Sequence, residues 1–382
     1  QAQVDRIVRA IADAGVRNAR RLAQMANEDT GFGIVDDKVI KNIFASRGVY
    51  EHIKDMKTIG EISRDDAKRL RTIAVPVGVI AGLIPSTNPT STALYKAEIA
   101  IKAGNAIVFS PHPTALRCIL ETVKVIRQAV AEAGGNENLV SCITIPTMEA
   151  TDNLMRHRDV AMILATGGSA MVRAAYSSGT PAIGVGPGNC NVVIDETADL
   201  RMAVESIIHS KTFDNGMICA TEQHVTILEN IYDEVKAEFA NSRCYFLNKD
   251  EADKVAKVFF NAKTHGVNAN AFGRSVLQLA EMAGITVPED TKVMIFETDD
   301  TSHDNAWANE KLCPLLGMYK AKNFDEALDI CAKLVYEGGA GHSAAMYCDP
   351  TDNEKIDRFA LRMKAARILI NTPTCFGGIG DL

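Results

Sequence analysis

From residue 73 onward, short and almost uninterrupted apolar runs alternate with helical stretches, and that alternation restricts the fold more than any other feature of the chain. The runs are VGVIAGLI (77–84), NAIVFS (105–110), SCITIP (141–146), VAMILA (160–165) and PAIGVG (181–186). Between them lie helical patterns such as 114–134, closed by Gly134-Gly135 as helix C-termini often are. Strands apolar on both faces and separated by helices predict a parallel sheet covered on both sides, a doubly wound α/β domain.

Two helical arms, roughly 1–30 and 36–56, precede this sheet. The polar stretch 54–72 fits a protruding connection or hairpin, used for packing against another subunit or simply solvated. A second α/β unit begins near VVIDETADL (192–200), where Asp199 is the expected N-cap of a helix burying Leu200, Ala203, Val204, Ile207 and Ile208. Strands are expected at 224–229, 292–297 and 315–320, with helices near 231–240, 250–261 and 274–284.

Composition narrows the function. With 41 basic against 48 acidic residues the net charge is −7, and no basic block appears, which disfavours a nucleic-acid or anionic-membrane partner and points to small molecules. The longest apolar run, 73–84, contains Pro76 and is far short of a membrane span. Nine cysteines without a CxxC pair read as free thiols in a reducing cytoplasm. Cys and His show no metal-ligand spacing, so no metal is expected.

Several residues could carry chemistry. Cys219, in TFDNGMICATEQ (212–223), follows an Asn-Gly break and precedes a strand, which would expose its thiol to a substrate; a packing role stays open on spacing alone. PSTNPT (85–90) sits where a strand ends, in the crevice position of an open α/β sheet, and Asn88 could offer its amide to a developing oxyanion. Gly167 and Gly168 in ATGGSAMV (165–172) would let a phosphate approach a helix N-terminus. GVGPGN (184–189) reads as hinge, pocket wall or both. His342 in GGAGHSA is flanked by small residues that would leave it accessible.

Taken together and in order, TFDNGMICATEQ, PSTNPT, ATGGSAMV with RAAYSSGTPAIGVGPGN, ANEKLCPLLGMY and GGAGHSA resemble the aldehyde dehydrogenase superfamily. Within it they resemble the CoA-acylating branch, most of all the N-terminal half of the bifunctional aldehyde-alcohol dehydrogenases, from about residue 29 to the last residue. The resemblance implies a Rossmann-type cofactor domain over 1–194, with 54–72 as an oligomerisation hairpin. It also implies a catalytic α/β domain over 195–368, and a truncated segment, 369–382, returning toward the cofactor domain. It implies Cys219 as nucleophile, Asn88 with the Cys219 N–H as oxyanion hole, and His342 as an aid to the CoA step. Leu83, Ile84, Pro85, Ser86, Thr87, Asn88, Gly167, Gly168 and Gly186 would line NAD, and Glu310 would hold the nicotinamide ribose.

Two departures from the hydrolytic branch matter. Gly184 stands where those enzymes carry a glutamate general base, and Ser110-Pro111 replaces the Lys-Pro that contacts the adenosine ribose, which leaves NAD against NADP open. The expected activity is therefore interconversion of a short aldehyde, CoA and NAD with acyl-CoA and NADH in a cytoplasmic homo-oligomer. A hydrolytic aldehyde dehydrogenase giving a free acid, or a mainly structural assembly role, are the alternatives. The resemblance further implies a natural chain that starts before Gln1 and continues past Leu382.

Overall fold

The amphipathic start of the chain forms one long helix, α1 (Ala2–Thr30), whose apolar positions Ile7, Val8, Ile11 and Leu22 are all buried and whose end is set by Gly31 in the left-handed region. The computed structural model describes residues 1–264 and 266–380. They divide into two compact units, Gln1–Gly31 with Val35–Gly186, and Phe32–Ile34 with the residues from Pro187 on.

In the first unit, the second arm is α2 (Val35–Ile43) and α3 (Val49–Ile53) joined by a π-helical turn at Phe44–Gly48. The polar connection is an antiparallel hairpin of β1 (Gly60–Asp65) and β2 (Leu70–Ala74). The central sheet contains β3 (Val79–Ile84), β4 (Ala106–Pro111), β5 (Val140–Cys142), β6 (Val160–Thr166) and β7 (Ala182–Val185). All are parallel, in the order β5-β4-β3-β6-β7. The helices α4 (Pro89–Lys102), α5 (Leu116–Glu132), α6 (Met148–Met155) and α7 (Ser169–Tyr176) connect them. The chain winds outward from β3 in one direction and returns to start β6 on its other side. The switch point of this doubly wound sheet, where ligands bind in such folds, thus lies between the carboxyl ends of β3 and β6.

Glu98 on α4 is fully buried, and neither carboxylate oxygen has a hydrogen-bond partner. Burial pushes its pKa up to about 10, so it is held as the neutral acid. Because the unfolded chain ionises near 4.5, the folded state loses stability steadily as pH rises from about 4.5 to about 10, by roughly 1.4 kcal/mol per pH unit. Glu98→Leu is expected to raise stability at pH 7 by about 3 kcal/mol and to flatten its pH dependence, read from denaturant midpoints at several pH values.

The second unit holds a seven-stranded parallel sheet, ordered β10-β13-β14-β9-β8-β15-β16. Its strands are β8 (Cys190–Ile194), β9 (Glu222–Leu228), β10 (Cys244–Phe246), β13 (Val293–Glu297), β14 (Leu315–Ala321), β15 (Ser343–Tyr347) and β16 (Arg367–Ile370); the short pair β11 (Phe260–Asn261) and β12 (Gly266–Val267) stands apart. The helices are α8 (Leu200–Thr212), α9 (Tyr232–Asn241), α10 (Lys249–Phe259), α11 (Val276–Ala283), α12 (Phe324–Gly338), α13 (Asn353–Arg362) and α14 (Phe376–Ile379). Asp199 caps α8 by accepting from the Met202 N–H at 3.0 Å, and Ala203, Val204, Ile207 and Ile208 form its buried face.

One expected boundary differs from this division. Cys190–Ile194 falls within the cofactor domain expected from the sequence, yet β8 hydrogen-bonds between β9 and β15 in the second sheet. Within the second unit, residues near the end of the chain bond to β9 and α8. The Thr374 N–H donates to Glu222 at 2.9 Å and the Cys375 N–H to Ser210 at 3.0 Å; Asp381 and Leu382 lie outside the described residues.

Candidate active site

In the first unit, the segments expected to hold a cofactor lie at the carboxyl ends of β3, β6 and β7, with Leu83 paired to Ala165 across the switch point. Buried Lys96 clamps this edge, its Nζ donating to the carbonyls of Leu83 and Leu164 at 2.8 Å each. Leu83 and Ile84 are core side chains, and their carbonyls are taken by Lys96 and by the His112 N–H. Pro85, Thr87 and Asn88 are half-buried, and Ser86 is buried. Gly168 and Gly186 have no atom within 4 Å of where a Cβ would stand, which leaves open backbone beside the N-terminus of α7.

Asn88 occupies the N-cap position of α4, ahead of Pro89, but its side chain does not cap the helix. Its Oδ1 accepts instead from Lys41 Nζ at 2.8 Å, which turns the amide so that Nδ2 is the outward donor, only loosely paired with Thr87 Oγ1 at 3.3 Å. Lys41 is buried on α2, forty-seven positions away in sequence, and nothing in its local pattern singles it out.

In the second unit, Asp214, Asn215 and Gly216 all take positive φ, 50°, 53° and 73°. An added Cβ on Gly216 would stand 2.8 Å from the Cys313 main chain, so this break demands glycine. The reversal ends α8 and delivers 217–221 as a turn, closed by Thr221 N–H to the Ile218 carbonyl at 3.0 Å. Met217, Ile218, Ala220 and Thr221 are buried, and Cys219 alone in this turn is partly exposed.

Three expected site residues lie in this unit, each on a segment entering a strand. Cys219 precedes β9, Glu310 precedes β14 and His342 precedes β15. Glu310 Oε1 accepts from the Gly188 N–H at 3.1 Å, and burial pushes its carboxyl up to about 7 against that bond and the charges of Lys211 and Lys311. His342 is buried, 7% exposed, rather than accessible as its small neighbours had suggested. Gly188, read in the sequence only as part of a glycine-rich boundary, and Cys190, read only as one of nine free thiols, pack against it. A Cβ on Gly188 would fall 2.1 Å from the Cys219 carbonyl oxygen and 3.0 Å from the His342 ring, and Cys190 Sγ lies 3.4 Å from that same carbonyl. Gly188 therefore joins Glu310, Cys219 and His342 into one cluster.

The sequence profile of the aldehyde dehydrogenase family matches residues 1–380. The chain belongs to the aldehyde dehydrogenase family. It is 48% identical to the bifunctional aldehyde-alcohol dehydrogenase of Escherichia coli over its whole length, and spans 43% of that protein. An acetylating aldehyde dehydrogenase from Geobacillus thermoglucosidasius superposes with a TM-score of 0.95 at 47% identity, over all of this chain and 83% of that one. A Rhodopseudomonas palustris propionaldehyde dehydrogenase, solved with bound CoA and an acylated cysteine, gives 0.86 at 29% identity, over all of this chain and 85% of that one. The resemblance seen in the motifs thus extends along the whole chain, and to acylating members of the family.

Both departures from the hydrolytic enzymes of the family have a local structural counterpart. At Gly184 on β7 the main-chain N–H donates to the Tyr176 hydroxyl at 3.0 Å, and that hydroxyl donates back to the Gly184 carbonyl at 3.3 Å. A Cβ there would meet Val172 at 2.7 Å. Ser110 is buried and spends its hydroxyl on Thr151 at 2.8 Å, so no cation replaces the missing lysine at this position.

Proposed function

We propose that the protein is a CoA-acylating aldehyde dehydrogenase, converting a short aldehyde, most simply acetaldehyde, with CoA and NAD to acyl-CoA and NADH, and reversibly so. Two observations carry this reading: a partly exposed Cys219 on its glycine-dependent turn and, in the other unit, a Gly184 with no carboxylate, its Cβ position bounded by Val172 and the Tyr176 ring.

In this mechanism the Cys219 thiolate adds to the aldehyde carbon, and the Asn88 amide and the Cys219 N–H stabilise the oxyanion. NAD, when bound, would supply the acceptor for the hydride that leaves the aldehyde carbon. The main chain of Gly167, Gly168 and Gly186 would hold the dinucleotide, and Glu310, anchored on Gly188, would bind its nicotinamide ribose. Cys219 is left acylated as a thioester. With Gly184 offering no base, water is not activated, and CoA takes the acyl group with His342 alongside. Thioester is exchanged for thioester, so the step stays near equilibrium.

No helix among the described residues is long and apolar enough to cross a membrane. The β1–β2 hairpin leaves Ile62, Leu70 and Ile73 exposed, which supports a homo-oligomer contact there.

The test is to mix the protein with acetaldehyde and NAD and follow NADH with and without CoA. Sustained turnover only with CoA is expected. Equal turnover without CoA would replace the acylating reading with a hydrolytic one.

A further inference from the structure

The CoA step of the proposed mechanism turns on His342, and the part its neighbours play in that step rests on that reading. Three groups approach Nδ1 of the imidazole: Arg367 Nη2 at 3.4 Å, Ser343 Oγ at 3.3 Å and Cys190 Sγ at 3.8 Å. A guanidinium can only donate, so a hydrogen bond from Arg367 to the ring needs Nδ1 as the accepting nitrogen, which places the proton of the neutral ring on Nε2.

Arg367 has little freedom to do otherwise. Its Nε donates to Ser343 Oγ at 3.1 Å and its Nη1 to the Gly377 carbonyl. The pairing of β15 with β16 sets Ser343 opposite Arg367, and the N–H groups of Ala366 and Arg367 both reach the His342 carbonyl at 3.1 Å. Ring and guanidinium are thus fixed through both main chain and side chain.

The charges around the ring agree with this. Burial, with Arg367 beside it, pulls the imidazole down to about 4, so it is neutral at physiological pH. Burial pushes the Cys190 thiol well up, as do Cys219, Glu222 and Glu310 nearby, so Cys190 stays protonated, and its single proton goes to the Cys219 carbonyl at 3.4 Å.

We infer that Arg367 is a positioning residue that locks His342 as the Nε2–H tautomer, so that His342 serves thiol exchange as a hydrogen-bond donor to the CoA thiolate and not as the base that makes it. The CoA thiol loses its proton to solvent. Its sulfur then forms a bond to the thioester carbon, the oxyanion collapses, and the bond from that carbon to Cys219 breaks. Cys219 leaves as thiolate and recovers a proton from solvent.

The tautomer is read directly from long-range proton–nitrogen spectra of the whole protein labelled with ¹⁵N-histidine, with His342→Gln identifying the signal. A neutral Nε2–H ring unchanged from about pH 5.5 to about 9 is expected, and in Arg367→Met a ring that titrates nearer the ordinary value of about 6.5. Single-turnover deacylation by CoA and by thiols of different acidity gives the role. The pH profile is expected to follow each thiol's own pKa. His342→Ala and Arg367→Met should slow deacylation roughly 10- to 100-fold, whereas His342→Gln and Arg367→Lys, which keep a donor, should lose less. A wild-type Nδ1–H ring, or a profile with the same break for every thiol, overturns the inference. Absence of any CoA-dependent deacylation overturns the acylating reading and the role given to His342 with it, while the spectrum still reports which nitrogen carries the proton.

Discussion

Cys219→Ala is expected to cut NADH formation from aldehyde by on the order of 10⁴-fold or more, with or without CoA, as removal of a covalent nucleophile does elsewhere. Mass spectrometry should find no acyl adduct on the variant. The competing view of Cys219, as one more small apolar residue, predicts something different: a modest loss of stability with activity intact. Local structure separates the two. The four residues flanking the thiol in its turn are buried, Cys219 is not, and three successive positive φ angles are spent to make that turn. Gly188 lies so close to the Cys219 carbonyl that no side chain fits between them. Such constraints serve the placement of one thiol and its adjacent N–H more than the packing of a core.

Asn88→Ala is expected to lower kcat by roughly 10²- to 10³-fold while leaving the affinity for NAD nearly unchanged, the signature of a lost oxyanion donor. The amide is preset: Lys41 holds its oxygen at 2.8 Å, so only the NH₂ end can face a substrate. Asn88→Asp should fare no better than alanine, because a carboxylate held by Lys41 keeps the bridge but repels an oxyanion. Steady-state kinetics of the two variants, with NAD affinity measured separately, checks both points.

Much of the architecture was legible because it rests on periodicity. The 114–134 pattern became a short 3₁₀ turn followed by α5, and the runs at 77–84, 105–110 and 160–165 became β3, β4 and β6 within two residues. SCITIP gave only Ser141 and Cys142 to β5, which begins one residue earlier and stops well before Pro146. Cys244–Phe246, Ser343–Tyr347 and Arg367–Ile370 were missed as strands, being short runs whose burial is decided by neighbours distant in sequence. The site shows the same limit. Cys219 and Asn88 carry local signals in an Asn-Gly break and an Asn-Pro corner. Lys41 and Arg367 act only through contacts made by folding, and ordinary cations on helix or strand give no sign of it. The rule that ligands gather at carboxyl ends of strands located the segments on β3 and β6. It would have misled in the second sheet, where Cys219, Glu310 and His342 all stand at amino ends.

The bond between the Tyr176 hydroxyl and the Gly184 main chain also bears on how the two chemistries of this family could interconvert over time. A glutamate at position 184 would set its Cβ 2.7 Å from Val172 and 3.2 Å from the Tyr176 ring, so these side chains must shift to admit it. Any larger side chain at this position is in this sense gated by a repacking of its two neighbours.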